Sequence, residues 1–233
     1  MSEMTDTRAD TTRHQILRAA ARQFARQPYH QVGLDDVLAE AELTKGAMYF
    51  HFRSKHALAL AVIEDQTARS TEAVADLLAR KFSGLETLID FFYQLAAQDL
   101  SEDIARAALH LLESIGRIDG RQAKLLGAWI DTLAVTIQRA IDEGDIFDES
   151  DPQDVARLLV SIYMGLRQTS NLDEPEQFLG DLEKTWALAL PGFVRPERLD
   201  YFRQFIRRRT AIATASTAAL AGTGCSPAVT RIR

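Results

Sequence analysis

Apolar residues recur at intervals of three and four along nearly the whole chain, and no stretch of useful length alternates apolar with polar. That period belongs to helices that bury one stripe, whereas a half-buried strand needs a period of two. Ile16, Leu17, Ala20 and Phe24 form the first stripe, which ends at Pro28, and Leu34, Val37, Leu38 and Ala41 mark a short second helix. Leu43-Thr44 is a tight break before a short third helix over residues 45–50. Ser54 is placed to cap a fourth helix from Lys55 to about Arg80. Leu85, Leu88, Ile89, Phe92 and Leu95 carry a fifth helix, and Ser101-Glu102-Asp103 opens a sixth with acids where the helix dipole favours them. A long helix through Trp129, Leu133, Ile137 and Ile141 lies between Gly120 and Gly144. Asp151-Pro152 reads as a cap with a first-turn proline, Pro175 opens a further helix that ends at Pro191-Gly192, and a basic helix runs from about Pro196 to Arg209. The fold expected is all-α. The Ala/Thr/Ser/Gly-biased segment 210–233 shows no wide apolar face and is expected to be a flexible tail.

Composition removes several classes. The chain has 233 residues, 46% hydrophobic and 26% charged, with one cysteine, Cys225, so it is neither a disulfide scaffold nor broadly disordered. No apolar run reaches the roughly 20 residues of a membrane helix, and the start MSEMTDTRAD is too polar for a signal peptide. No membrane association and a cytoplasmic location are expected. The net charge of −6 hides a pattern: residues 1–56 hold 8 Lys/Arg against 7 Asp/Glu, residues 57–194 hold 11 against 24, and residues 195–233 hold 8 against 2. The acidity belongs to the middle, so it does not exclude a nucleic-acid partner for the first part.

Three short helices with a break between the second and third have helix-turn-helix spacing. Thr44 can cap the third helix and touch a phosphate, and Lys45 supplies a cation at its start. Gly46 and Ala47 keep the surface thin enough for base edges to approach, and Tyr49 lies one turn beyond Lys45 on the same face. Met48, Phe50 and Phe52 are expected to face inward. Arg8, Arg13 and Lys55 flank the strip. Two readings stand for His51, a phosphate partner or a core histidine. His51 and His56 lack helical ligand spacing, so no metal is expected. The acidic stretch Asp142–Asp151 lacks the alternating ligands of a calcium loop and reads as a solvated connection, and Gly222-Thr223-Gly224 follows no strand, so no cofactor is expected.

The strip LTKGAMYFHFRSKHALALAV, Leu43–Val62, resembles the DNA-binding signature of the TetR family of one-component repressors. TKGAMYFHF is similar to the γ-butyrolactone receptor branch, as are Trp129 at the start of a long helix and the string Trp186–Gly192. The resemblance implies an N-terminal three-helix head that binds a palindromic operator in double-stranded DNA, and a C-terminal helical domain that holds a small-molecule effector and forms a homodimer. It also implies a butyrolactone-type or related signal. Family members often start the second helix with Thr or Ser. Gly33-Leu34-Asp35-Asp36 stands there instead, which removes a phosphate contact and sets two acids near the backbone.

The expected division is therefore a head at 1–56, a ligand-binding and dimerisation domain at 57–209, and the tail at 210–233. Trp129, Phe92, Tyr93, His110 and Tyr163 are the candidate effector contacts, with Trp129 and Trp186 each readable as plain core. Val155, Leu158, Leu159, Ile162 and Leu166 are expected to pair with Phe178, Leu182 and Trp186 in a four-helix seam with a two-fold mate. The rival reading is a helical enzyme or small-molecule carrier with a degenerate head. Against it, no nucleophile–base pair, metal cluster or cofactor motif stands out in the sequence.

Overall fold

The computed structural model describes the backbone of residues 2–78, 80–117 and 120–223. They fold as α1 (Ser2–Arg26), α2 (Leu34–Ala41), α3 (Lys45–His51), α4 (Lys55–Leu78), α5 (Gly84–Ser101), α6 (Asp103–Ser114), α7 (Arg121–Asp142), α8 (Pro152–Thr169), α9 (Pro175–Ala189) and α10 (Pro196–Thr223). Among the described residues the only β feature is one isolated bridge, between Ile146 and Val194. The chain is all-α.

These helices form two compact units, residues 1–79 with 102–128 and residues 80–101 with 129–233. In the first unit α6 packs on α1 and α4, and α1 packs on α2 and α3. The α1 stripe Ile16, Leu17, Ala20 and Phe24 is fully buried, together with Val37, Met48, Leu58 and Val62. The side chains of Arg22 and Gln23 on α1 both donate to the Glu40 carboxylate on α2, Gln23 at 2.6 Å. Charge-assisted bonds of this kind fix the angle between the two helices as well as their contact.

Helix α2 starts without a Thr or Ser cap and ends without a glycine. Gly33 has no side chain to cap α2, and Asp36 reaches back instead, accepting from the Gly33 N–H at 3.0 Å. At the other end of α2, Glu42 adopts left-handed backbone angles (φ 54°, ψ 39°) and donates its N–H to the Ala39 carbonyl. That left-handed residue turns the chain sharply into α3. Ser54 caps α4 by accepting from the Ala57 N–H at 3.0 Å.

In the second unit α10 packs on α5 and α9, and α8 packs on α9. Asp151 caps α8, accepting from Gln153 and Asp154, as the Asp-Pro signal implies. A Cβ on Gly84 would lie 2.6 Å from the Ala140 nitrogen and 2.8 Å from the Thr136 carbonyl, so α5 begins against the α7 backbone where only glycine fits. Asp90, with no exposed surface, is paired with Arg80 at 2.9 Å and with Arg209 of α10. The Tyr93 hydroxyl is 2.6 Å from the Thr210 hydroxyl.

α10 continues to Thr223 and does not end near Arg209 as the sequence suggested. Alanine-rich segments have high helix propensity, and here the first turns beyond Arg209 are also tied down by Thr210 and by buried Ala213. Residues 224–233, with Cys225, lie outside the described residues. No helix among the described residues is long and apolar enough to cross a membrane.

Candidate nucleic-acid interface

The third helix is seven residues long and too short to hold its own shape, so its neighbours must hold it. Thr44 caps it, accepting from the Ala47 N–H at 3.3 Å, and Met48 and Phe52 bury their side chains beneath it. Phe50 does not face inward. At 100° per residue, Met48 and Phe52 share one side of the helix and Phe50 falls on the other, where it is 79% exposed.

The outward face of α3 presents Lys45, Gly46, Tyr49 and Phe50, with Tyr49 55% exposed and Ala47 and His51 half-buried. His51 takes part in ring contacts with both neighbours, Phe50 at 5.0 Å and Phe52 at 6.5 Å between centroids. Arg13, half-buried on α1, sets its guanidinium 5.5 Å from the Phe52 ring centre. The side chain of Arg8 lies outside the described residues.

Three charged residues have roles that the sequence did not disclose. Asp35 pairs with Lys45 at 2.9 Å between exposed groups, and this carboxylate raises the ammonium above the ordinary lysine range. Asp36 is the α2 cap already described. Lys55 directs its ammonium inward to the Tyr29 and Val32 carbonyls, both at 2.9 Å, and stands 4.5 Å from the Tyr29 ring centre. Two of its three donors are thereby used on the α1–α2 loop. Its first task is to pin that loop to the start of α4; it is not a flank cation held free for phosphate.

The expected effector residues are divided between the units. Phe92, Tyr93, Tyr163 and Trp129 belong to the second, whereas His110 lies on α6 in the first. Trp129 is half-buried, and it sits well inside α7, which starts at Arg121. Phe92 and Tyr163 meet at 5.5 Å between ring centroids, and Phe92 meets Trp186 at 5.8 Å. They line a crevice with Leu159, Ile162 and Leu182 whose free volume is only about 10 Å³, barely room for one water. Beneath it lies a buried polar triad. Tyr163 donates to Asp99 at 2.7 Å, and Arg167 donates to the same oxygen at 2.7 Å. Burial, with the Asp99 carboxylate alongside, pushes the Tyr163 hydroxyl well above its ordinary 10.0. Sequence reading missed Asp99 and Arg167. The available signal was Asp99 one turn beyond Leu95 on the apolar stripe of α5.

The stripe assigned to a two-fold seam is largely consumed within the chain. Val155, Leu159, Leu166, Phe178, Leu182 and Trp186 are all buried in their own unit, where α8 meets α9. Of the eight residues only Leu158, 45% exposed, and half-buried Ile162 point outward, and Leu188 on α9 is 84% exposed.

A capped second helix, a left-handed turn and an exposed short third helix define a helix-turn-helix regulator. Residues 16–62 match the family described as bacterial regulatory proteins, tetR family. The A-factor receptor protein of Streptomyces griseus is 30% identical over 190 residues, covering 81% of this chain, which spans 66% of that receptor's length. A crystal structure of a γ-butyrolactone receptor (ArpA-like protein) is similar with a TM-score of 0.71 and 26% identity, covering 87% of this chain and 98% of the other. The TetR family protein CprB from Streptomyces coelicolor, solved in complex with its operator sequence, gives 0.74 and 28% over the same shares. The chain belongs to the TetR family of bacterial transcriptional regulators, and its similarity runs to the γ-butyrolactone receptor branch.

Proposed function

We propose that this chain is a ligand-responsive transcriptional repressor, which binds a palindromic operator as a homodimer and is released by a small lipophilic effector of the γ-butyrolactone type. The observation that carries this reading is the α3 face. Lys45 and Tyr49 project from a helix that packs on α1 and α2 and buries Met48, so the face is fixed before DNA arrives. The relative solved with its operator and the A-factor receptor protein support the two halves of the reading. In this division residues 1–56 read DNA and residues 57–209 hold the effector and the dimer contact, with the protein at work in the cytoplasm. Helices as short as α3 bury too little alone, and two half-sites about one helical turn apart supply the affinity. The dimer contact uses the outward face of α8 and α9 at Leu158, Ile162 and Leu188.

The effector seat is the crevice of Phe92, Tyr163 and Trp186, and Trp129 belongs to the same unit. The closed crevice must open, so effector binding selects a second conformation and shifts the population toward it. An enzymatic reading finds no support in the relatives, which are named as a receptor and as transcriptional regulators. The test is a gel shift with the fragment upstream of the chain's own gene. Wild type should retard it, Lys45→Ala should not, and a lipophilic extract of the producing culture should reverse the shift. A wild-type protein that leaves the fragment free at 50 mM salt refutes the reading.

A further inference from the structure

On α3, Gly46 and Phe50 stand four residues apart and so share one ridge, beside the ridge of Lys45 and Tyr49. The fold requires neither residue. A Cβ on Gly46 would meet only the Thr44 hydroxyl oxygen at 3.9 Å, an ordinary contact, and glycine is the poorest helix former after proline. Phe50 leaves its ring almost wholly outside the core, at a position where any polar residue would fit. Its orientation is nonetheless set, because the His51 ring stands edge-on to it with planes 89° apart. The ridge thus offers a bare strip of backbone followed, one turn on, by an oriented apolar ring.

Such a surface suits a partner that carries a small apolar projection on an otherwise polar wall. In the major groove of duplex DNA, the base edges present hydrogen-bonding groups and one apolar group, the 5-methyl of thymine. We infer that Phe50 reads a pyrimidine 5-methyl group in the major groove, with Gly46 giving the α3 backbone room to approach. The head then tells thymine from a pyrimidine that lacks the methyl, a discrimination separate from the charge contacts of Lys45. The inference rests on the DNA-binding reading above and adds to it the residue that selects sequence.

The probe is the duplex that the full-length chain enriches from a random-sequence library. Each thymine in it is replaced in turn by uracil, which removes the methyl and keeps every hydrogen bond. Wild type should lose about fourfold in affinity when one particular thymine of a half-site is changed, the effect of a single buried methyl. Phe50→Ala should bind the unmodified duplex more weakly and be indifferent to that uracil, while melting at the wild-type temperature. The inference is overturned if no uracil weakens wild type, if Phe50→Ala keeps the wild-type sensitivity, or if that variant melts several degrees lower. Enrichment of no duplex at all would overturn the DNA-binding reading and the inference together, whereas enrichment without methyl sensitivity overturns the inference alone.

Discussion

Lys55 donates to the carbonyl of Tyr29 at 2.9 Å while its ammonium lies 4.5 Å from the centre of the Tyr29 ring, so one side chain satisfies a loop carbonyl and covers the ring of the same residue. The same ammonium serves Val32, and the α1–α2 loop is held from both ends. Removing it leaves two part-buried carbonyls without their donor. Lys55→Met should therefore lower the stability of the first unit by about 2 kcal/mol. A urea melt checks this. If Lys55→Met melted like wild type yet bound DNA poorly, Lys55 would be a phosphate contact after all.

Glu42 takes the left-handed region at φ 54°, where a Cβ is disfavoured by about 1 kcal/mol. Glu42→Gly should raise the urea midpoint by an amount near 1 kcal/mol, and Glu42→Val should lower it by at least as much. The order Gly above Glu above Val is the expected result. A variant Glu42→Gly that is less stable than wild type would show that the Glu42 side chain itself holds the turn.

Tyr163 and Tyr93 both have hydroxyls raised above their ordinary 10.0, in each case chiefly by burial. For a raised group the stabilising share is complete below the unfolded value and is lost as pH climbs toward the folded one. Stability should thus be flat to about pH 9.5 and then fall, by about 1.4 kcal/mol per pH unit for each tyrosine that stays protonated only when folded. Denaturant melts of wild type and Tyr93→Phe between pH 9 and 11 measure it, and the variant should lose less over that range. Equal losses would place the alkaline sensitivity elsewhere.

Much of this architecture was legible in the spacing of apolar residues. The stripes of α1, α5 and α7 appear where the three-four rhythm puts them, and Thr44, Ser54 and Asp151 cap the helices they announce. Phe50 was misread by applying a strand's alternation to a helix, since Met48, Phe50 and Phe52 share a side only at a period of two. The inward bonds of Lys55 were not legible because its carbonyl acceptors lie 23 and 26 residues away, on a loop whose path no local pattern describes. The α8 stripe shows a different limit. Periodicity says that Leu159 is buried, and it does not say whether the cover is α9 of the same chain or a second copy.

That distinction gives a mutational contrast. Leu159→Glu should unfold the second unit, because the charge enters its own core without a partner and costs several kcal/mol. Leu188→Glu, on an exposed position, should leave the melt nearly unchanged and shift the sedimentation equilibrium toward monomer. A Leu188→Glu protein that sedimented like wild type would move the dimer contact away from α9.

The hydroxyl of Tyr93 meets that of Thr210, 117 residues later in the chain, and the neighbouring Asp90 carboxylate needs Arg209 as well as Arg80. During synthesis α5 leaves the ribosome with an acid that has Arg80 but still lacks Arg209, and with a phenol whose partner Thr210 does not yet exist. The first unit draws its last helical contacts from α6 and the start of α7, and its residues are all made by Ala128. The second cannot close until α10 has emerged. The first unit is thus able to complete its packing while the second is still being translated, which leaves newly made chains a period of on the order of ten seconds in which the second unit is the vulnerable one.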